Sequence, residues 1–457
     1  MSTPSSLQSC SPKVRSILED CLSGAALSCN DARSLFECRG DDLRALCQSA
    51  DLLRQAQAGD TVTYVLNRNI NFTNVCIKTC QFCAFARGIR SEEGYFLSTD
   101  EILQKAAQAH QLGATELCLQ AGLAPLSNPW FYLELCEALS DQFPDLHLHA
   151  FSPEEIQYAA RLAKVSIRDY LKALKRAGLG SLPGTSAEIL DDNLRRQISP
   201  GRITTADWVH VIRTAHELEI PTTSTMMFGH VESLEHRGAH MDLLRRVQAD
   251  TGGFTEFVPL SFVHHEAPLF VKNKVPGVQA GPADDDIIRL YAIARLMLGP
   301  TFRNIQASWV KEGLKQSQRL LSCGVNDLGG TLMNESISTT AGATHGQLVS
   351  PARLREIIRA AGRQPVQRTT TYTTLRTFPA TLNEEATKIE AREEPLNRVI
   401  SQDKTFGSYS QWTHDESLHY QFERPKKVPL AERFQPATDA RPNNLRVDQD
   451  QTRSPST

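Results

Sequence analysis

The sequence predicts an α/β fold, a (β/α)8 barrel of the TIM type with packing helices ahead of its first strand and a disordered tail behind its last. Three observations lead there. From Thr61 onward, short apolar runs alternate with amphipathic helical stretches. The runs number eight, the count at which parallel β-α-β units close on themselves. The helical stretches also carry their own start and stop residues. An open six-stranded partial barrel with extra elements is the runner-up. In either, chemistry belongs at the C-terminal ends of the strands, where the loops leading into the helices converge.

Residues 1–60 read as a helical extension. Ser11-Pro12 starts a helix through Leu22, since proline at the first helical position gives up an N–H that has no partner there. Asn30 or Asp31 starts a second helix that stops near Gly40, and Asp41 a third that ends before Gly59. They are expected to pack under the first strand. The barrel domain spans 61–383. Ser98-Thr99-Asp100-Glu101 has the form of a capping box, and Ile102, Leu103, Ala106, Ala107 and His110 recur at helical spacing until Gly113. Strands follow at Thr115–Gln120 and Asp145–Phe151. Ser152-Pro153-Glu154-Glu155 then joins a cap, a first-turn proline and a glutamate at the third helical position. A helix over Ser166–Ala177 stops at Gly178, a short strand leads into Pro183-Gly184-Thr185, and a helix over Thr205–Leu218 stops before Pro221. Strand-like runs at Thr222–Phe228, Glu256–Phe262, Arg303–Ala307 and near Val325–Leu328 complete the eight.

From Glu384 to Thr457 the chain is rich in Glu, Arg, Lys, Asn, Asp and Pro and poor in aliphatic residues. Such a stretch buries too little surface to order itself, so 384–457 is expected to be mostly disordered. A helix through Asn383–Arg392 and a docked segment around Phe406–Trp412 are the expected exceptions.

The 457 residues, 40% hydrophobic, suffice for a large core that needs no metal to hold it folded. With 49 basic against 52 acidic residues, the net charge of −3 gives no electrostatic reason for nucleic acid or an anionic membrane as a partner. No apolar run approaches the ~20 residues that cross a bilayer. Eleven cysteines, an odd number with no signal-peptide pattern, argue against a secreted disulfide framework and for a reducing cytoplasm. Cys10, Cys21, Cys29, Cys38 and Cys47 recur every eight to eleven residues without ligand spacing, which favours buried thiols over a second metal site.

The stretch Thr61 to Gly88 is different. It is a short apolar strand that delivers Cys76, Cys80 and Cys83 onto a loop with the spacing C-x-x-x-C-x-x-C. Three thiolates are one short of the four that close a zinc site or a fully ligated iron–sulfur cluster, so one metal position stays open. Zinc completed by a distant histidine, or a set of buried free thiols, is the plainer alternative. With the aromatic Phe82 before the last cysteine, the motif resembles the radical S-adenosylmethionine superfamily. The resemblance implies a 4Fe-4S cluster, S-adenosyl-L-methionine on its open iron, and reductive cleavage of the sulfonium to a 5′-deoxyadenosyl radical.

Polar groups at other strand ends complete the candidate site. His149 closes the third strand beside the capped start that holds Glu154; Gly229-His230-Val231-Glu232 ends the fifth; the sixth carries Glu256 and ends at His264-His265-Glu266. In a barrel, Gln120, His149, Glu154, His230, Glu232 and Glu256 come from different strands yet converge near the cysteine loop. His149, His230 and Glu256 are the candidate catalytic groups, and Phe82, Gln120, Glu154 and Glu232 the candidate cofactor contacts. The competing reading has several of them satisfying one another inside the barrel. His236 and His240 have zinc spacing on a helix, but a solvated helix face suits them better.

A narrower resemblance rests on NRNINFTNVC followed by CAFAR, HLHAFSPEEI, AGLGSLPGTSAEILDD, WVHVIRTAHELEIPTTSTMMFGHVES and GGFTEFVPLSFVHHEAP. In order and spacing, over roughly residues 10 to 380, they look like the second subunit of FO synthase. That family implies transfer of the 4-hydroxybenzyl group of L-tyrosine to 5-amino-6-(D-ribitylamino)uracil, releasing 2-iminoacetate, methionine and 5′-deoxyadenosine in deazaflavin coenzyme biosynthesis. It also implies a reducing electron donor and a functional partner, FO synthase subunit 1, that closes the ring. The single triplet matches a stand-alone subunit. After Gln120 this chain has Ala121-Gly122 where the family has Gly-Gly. An aminofutalosine synthase-like enzyme of menaquinone biosynthesis is the alternative.

Overall fold

Thr61 to Ile70 forms one barrel strand interrupted at Leu66, so that its halves, β1 (Thr61–Val65) and β2 (Asn67–Ile70), pair with different neighbours. The computed structural model describes residues 5–402 and Tyr420. The further strands are β3 (Glu116–Leu119), β4 (His147–Ala150), β5 (Leu179–Ser181), β6 (Thr222–Phe228), β7 (Phe254–Ser261), β8 (Asp327–Gly330), β9 (Gln364–Arg368) and β10 (Thr374–Thr377). Parallel pairing runs β2-β3-β4-β5, crosses to β6 through Leu182 and Thr222, and continues to β7. Ile305 bridges β7, Gln306 bridges β8, and β8 returns to β1. The ring is closed. This is the (β/α)8 barrel, and the open six-stranded form is ruled out. The seventh run, expected over Arg303–Ala307, contributes only the bridging pair Ile305 and Gln306.

Cap chemistry places the helices. The boxes at Ser98/Glu101 and Ser152/Glu155 are both formed, and the helices Pro12–Leu22, Ile167–Arg176 and Thr205–Glu217 lie within one or two residues of expectation. The N-terminal helices depart from expectation in position. Helices Cys29–Phe36 and Gly40–Ala58 pack chiefly on Leu234–Thr251 and Asp284–Leu298, outside the barrel's own helical layer, where Gln57 donates to the Gly299 carbonyl at 2.6 Å. The core is continuous from these helices through the barrel. Among the described residues no helix is long and apolar enough to cross a membrane.

Two elements escape the sequence reading. The hairpin β9–β10 adds to the free edge of β1, with β9 parallel to it, and a run of Gln-Pro-Val-Gln-Arg hides that strand behind polar residues and a proline. At the other end, Asn383 caps a helix over Glu384–Glu393 as expected, accepting from the Ala386 N–H at 2.8 Å, but a second helix, Pro395–Gln402, follows. Arg355 grips Glu394 with both guanidinium nitrogens at 2.8 and 3.1 Å, Arg359 grips Glu390 likewise, and Leu396 is buried. Charges that read as disorder are here one side of a paired interface with the helix Pro351–Ala360. The expected segment Phe406–Trp412 and the remaining tail lie outside the described residues; Tyr420 docks beside Phe96 and donates to the Pro125 carbonyl.

Candidate active site

The cysteine loop is built by asparagines. Asn71 donates to the Gln120 carbonyl at 2.8 Å, while Asn74 donates to the Glu93 carbonyl and accepts from Tyr95, folding the loop back on itself. Backbone bonds from Cys76 to Arg87, from Ile77 to Leu123 and from Gly122 to Thr73 then fix it to the end of β3. A Cβ on Gly122 would stand 2.3 Å from the Val75 carbonyl oxygen, so this glycine permits the approach of two backbones. Gly122→Ala is therefore expected to displace the loop and lower bound iron at least several-fold, measured as iron and sulfide after anaerobic reconstitution; full loading would show that the loop tolerates the shift.

Cys76, Cys80 and Cys83 are free thiols lining a cavity of about 250 Å3 at the C-terminal mouth of the barrel, together with Phe82, Gln120 and Glu154. Among the described residues no three His, Cys, Asp or Glu side chains converge on a point fit for a single metal ion. The three thiols come from one loop that holds no fourth cysteine, a donor set that suits three corners of a cubane better than a closed four-ligand zinc site. Glu154 accepts from Lys78 at 3.0 Å, from Arg202 at 3.3 Å and from the Ile203 N–H at 2.7 Å. Burial pushes its pKa up, but these donors win and hold the carboxyl below its ordinary range. Arg202 also reaches Glu188 at 3.4 Å and the Cys80 sulfur at 3.4 Å. Burial drives the Cys80 thiol up to about 12 against the pull of Arg202.

Beneath this cavity lies a second, also about 250 Å3, inside the barrel. Many of its lining side chains are polar, in part because alternate residues of a strand face one way: Asn67 and Asn69 point inward along β2 and Asn71 just after it, while Arg68 points out to Gln108 and Asn334. The Asn69 side-chain amide oxygen is buried there without a hydrogen-bond partner among the described residues. His149 lines it, its Nδ1 at 2.7 Å from the Ser181 hydroxyl that His147 also contacts. Burial lowers the His149 pKa to about 4, so the ring is neutral at pH 7. The β9–β10 hairpin forms the floor. From it Arg368 pairs with Asp327 at 2.6 and 2.9 Å, and Tyr372 donates to Glu256.

Glu256 thus lines the lower cavity, at its floor and away from the cysteines. Burial raises its pKa from 4.5 to about 7, with Arg368 opposing. A carboxyl whose folded pKa is raised keeps its proton while the unfolded chain releases it, so stability is lost as pH rises from about 4.5 to about 7. Glu256→Gln is expected to flatten that slope in urea titrations; an unchanged slope would place its origin elsewhere.

His230 and Glu232 do not reach either cavity. Glu232 accepts from the Gly229 and His230 N–H groups at 2.6 and 2.9 Å and from Arg237 at 2.7 Å, and His230 is fully buried with Nδ1 at 3.3 Å from the same carboxylate. The pair closes the turn after β6, so their placement in the site is corrected: a turn carboxylate with a buried arginine looks in sequence like a site carboxylate. His240 is likewise not solvated. It is buried, accepting from the Leu190 N–H and donating to the Thr225 carbonyl, both at 3.0 Å, while His236 serves the cap of its helix.

Residues 70–244 match the radical SAM superfamily and residues 251–382 the CofH/MqnC C-terminal region. The 5-amino-6-(D-ribitylamino)uracil–L-tyrosine 4-hydroxyphenyl transferase of Methanothermobacter thermautotrophicus is 51% identical over 75% of this chain and 92% of its own length. The chain belongs to the 4-hydroxyphenyl transferase family of radical SAM enzymes. Two further members, from Methanopyrus kandleri and Archaeoglobus fulgidus, are each 50% identical, over 70% and 71% of this chain and 86% and 92% of their own. Among solved structures, methylornithine synthase superposes with a TM-score of 0.59 at 18% identity, over 76% of this chain and 97% of that one. The hydrogenase maturase HydG of Carboxydothermus hydrogenoformans gives 0.61 at 18%, over 79% and 80%. These two share the fold. In this member of the 4-hydroxyphenyl transferase family, sequence reasoning misses Lys78, Glu116, Glu188, Arg202, Lys311 and Arg368, all of which line the two cavities. Asn67, Asn69 and Asn71 carried a legible signal in their period of two; Arg202 and Arg368 carried none.

Proposed function

We propose that this chain transfers the 4-hydroxybenzyl group of L-tyrosine to 5-amino-6-(D-ribitylamino)uracil, the reaction named by its relatives, with 2-iminoacetate, methionine and 5′-deoxyadenosine as the other products. The observation that carries this is the stacking of two chambers in one barrel, a three-thiol mouth directly above a polar interior. Cys76, Cys80 and Cys83 would hold one 4Fe-4S cluster, and Phe82, Gln120 and Glu154 would line the place of S-adenosylmethionine; the donor set fits, because three free thiols lining one cavity supply three corners and leave the fourth open. Together cluster and cofactor supply a hydrogen-abstracting radical once an external reductant delivers an electron. The chain's own residues do the rest. The Glu154–Arg202–Lys78 network holds the mouth rigid, and the asparagine row of β2 and the neutral His149 offer hydrogen bonds to a polyol and a uracil ring. Enclosure within the barrel keeps water and stray hydrogen donors from a radical. FO synthase subunit 1 is the functional partner, and the cytoplasm the compartment.

Anaerobic incubation of the reconstituted chain with dithionite, S-adenosylmethionine, L-tyrosine and the ribitylaminouracil should yield the coupled product by mass, with deoxyadenosine. Product from the futalosine-pathway enolpyruvyl ether, and none from tyrosine, would overturn the proposal.

A further inference from the structure

Four basic side chains line the two cavities: Lys78, Arg202, Lys311 and Arg368. Three are committed. Lys78 pairs with Glu154, Arg202 with Glu154 and Glu188, and Arg368 with Asp327. The Lys311 ammonium makes no hydrogen bond and no ion pair with a described residue, although Glu335 and Glu312 are near enough to pull its pKa up against the larger, opposite effect of burial. It lines both cavities, so it stands where they join, and it shares the upper one with Cys83. An ammonium facing a chamber inside the barrel is stabilised most by an anion that arrives with the ligand.

On the proposed substrate pair, one group answers that description. The ribitylaminouracil is a neutral polyol on a heterocycle, whereas the amino acid carries a permanent α-carboxylate. We infer that Lys311 is the positioning residue for the carboxylate of the amino-acid substrate, held at the junction of the two cavities. The assignment rests on the reading that tyrosine is a substrate. A carboxylate fixed at the junction leaves the amino nitrogen and Cα beside the cysteine mouth and lets the phenol ring enter the polar chamber, where the second substrate is received. Lys311 follows the seventh barrel strand, in the first turn of the helix Trp309–Leu320, and is thus set by the barrel frame.

The test is equilibrium dialysis of the full, reconstituted chain with labelled L-tyrosine, with tyramine, which lacks the carboxylate, and with S-adenosylmethionine. Lys311→Met should bind L-tyrosine roughly 10- to 100-fold more weakly, the worth of one charge-assisted hydrogen bond. Iron content and S-adenosylmethionine affinity should be unchanged. Tyramine should bind both proteins equally weakly, and Lys311→Arg, which keeps the charge, should recover part of the tyrosine affinity. A loss shared equally by tyramine, or a loss confined to S-adenosylmethionine, overturns the assignment. Equal, tight tyrosine binding by both proteins overturns it alone, whereas no tyrosine binding by the unsubstituted chain overturns the substrate reading and the assignment with it.

Discussion

Alanine at any one of Cys76, Cys80 or Cys83 is expected to abolish both the iron–sulfur content of the chain and its cleavage of S-adenosylmethionine. Each thiol would supply one corner of a cluster that has no other thiolate within its loop; the next cysteine to line either cavity, Cys118, belongs to β3 and lies in the lower one. Folding should survive the change. The loop is held by backbone bonds from Cys76 to Arg87 and Ile77 to Leu123 and by the Asn71 and Asn74 amides, none of which uses a cysteine sulfur. Thermal stability of the iron-free variants should therefore stay within about 1 kcal/mol of the iron-free parent, in the range of an ordinary substitution. Cys80→Ala should fall furthest within that range, because its sulfur accepts from the charged Arg202 at 3.4 Å, whereas the Cys76 sulfur accepts at that distance from the neutral Lys78 N–H. Iron and sulfide analysis with chromatography for deoxyadenosine decides the matter: a variant that keeps both signals removes its cysteine from the site.

The parts of this molecule legible in the sequence are those set by local chemistry. Ser98 and Ser152 announced their helices because a capping box needs only four residues, and the cysteine loop was visible because ligand spacing is local too. Sites assembled across the barrel were not legible. Glu154 was found because it begins a capped helix, but its partners Lys78 and Arg202 come from two other loops, and no spacing links the three. His230 and Glu232 show the converse error, since a glycine followed by two polar residues at a strand end is also how a turn satisfies its own N–H groups. The floor of the lower cavity was hidden for a third reason. Arg368 and Tyr372 enter on a hairpin whose strand is polar and interrupted by Pro365, so its place is fixed by pairing with β1 rather than by its own pattern.

Arg202 carries the second large prediction. Its guanidinium, 13% exposed, lies between Glu154 and Glu188, which are 7% and 8% exposed, and donates to the Cys80 sulfur as well. Removing one member of a buried ion network leaves carboxylates in a medium that solvates them poorly, at about 3–5 kcal/mol. Arg202→Met belongs at the lower end, about 3 kcal/mol, because Glu154 keeps Lys78 and the Ile203 N–H while Glu188 keeps Arg195 at 3.2 Å. Lysine should not restore the loss: a single ammonium cannot serve two carboxylates and a sulfur that the planar fork reaches from different sides. Urea denaturation of the iron-free proteins isolates this from any effect of the cluster. Should Arg202→Met and the parent unfold at the same urea concentration with the same slope, the network contributes nothing to the folded chain, and its charges are held by solvent instead.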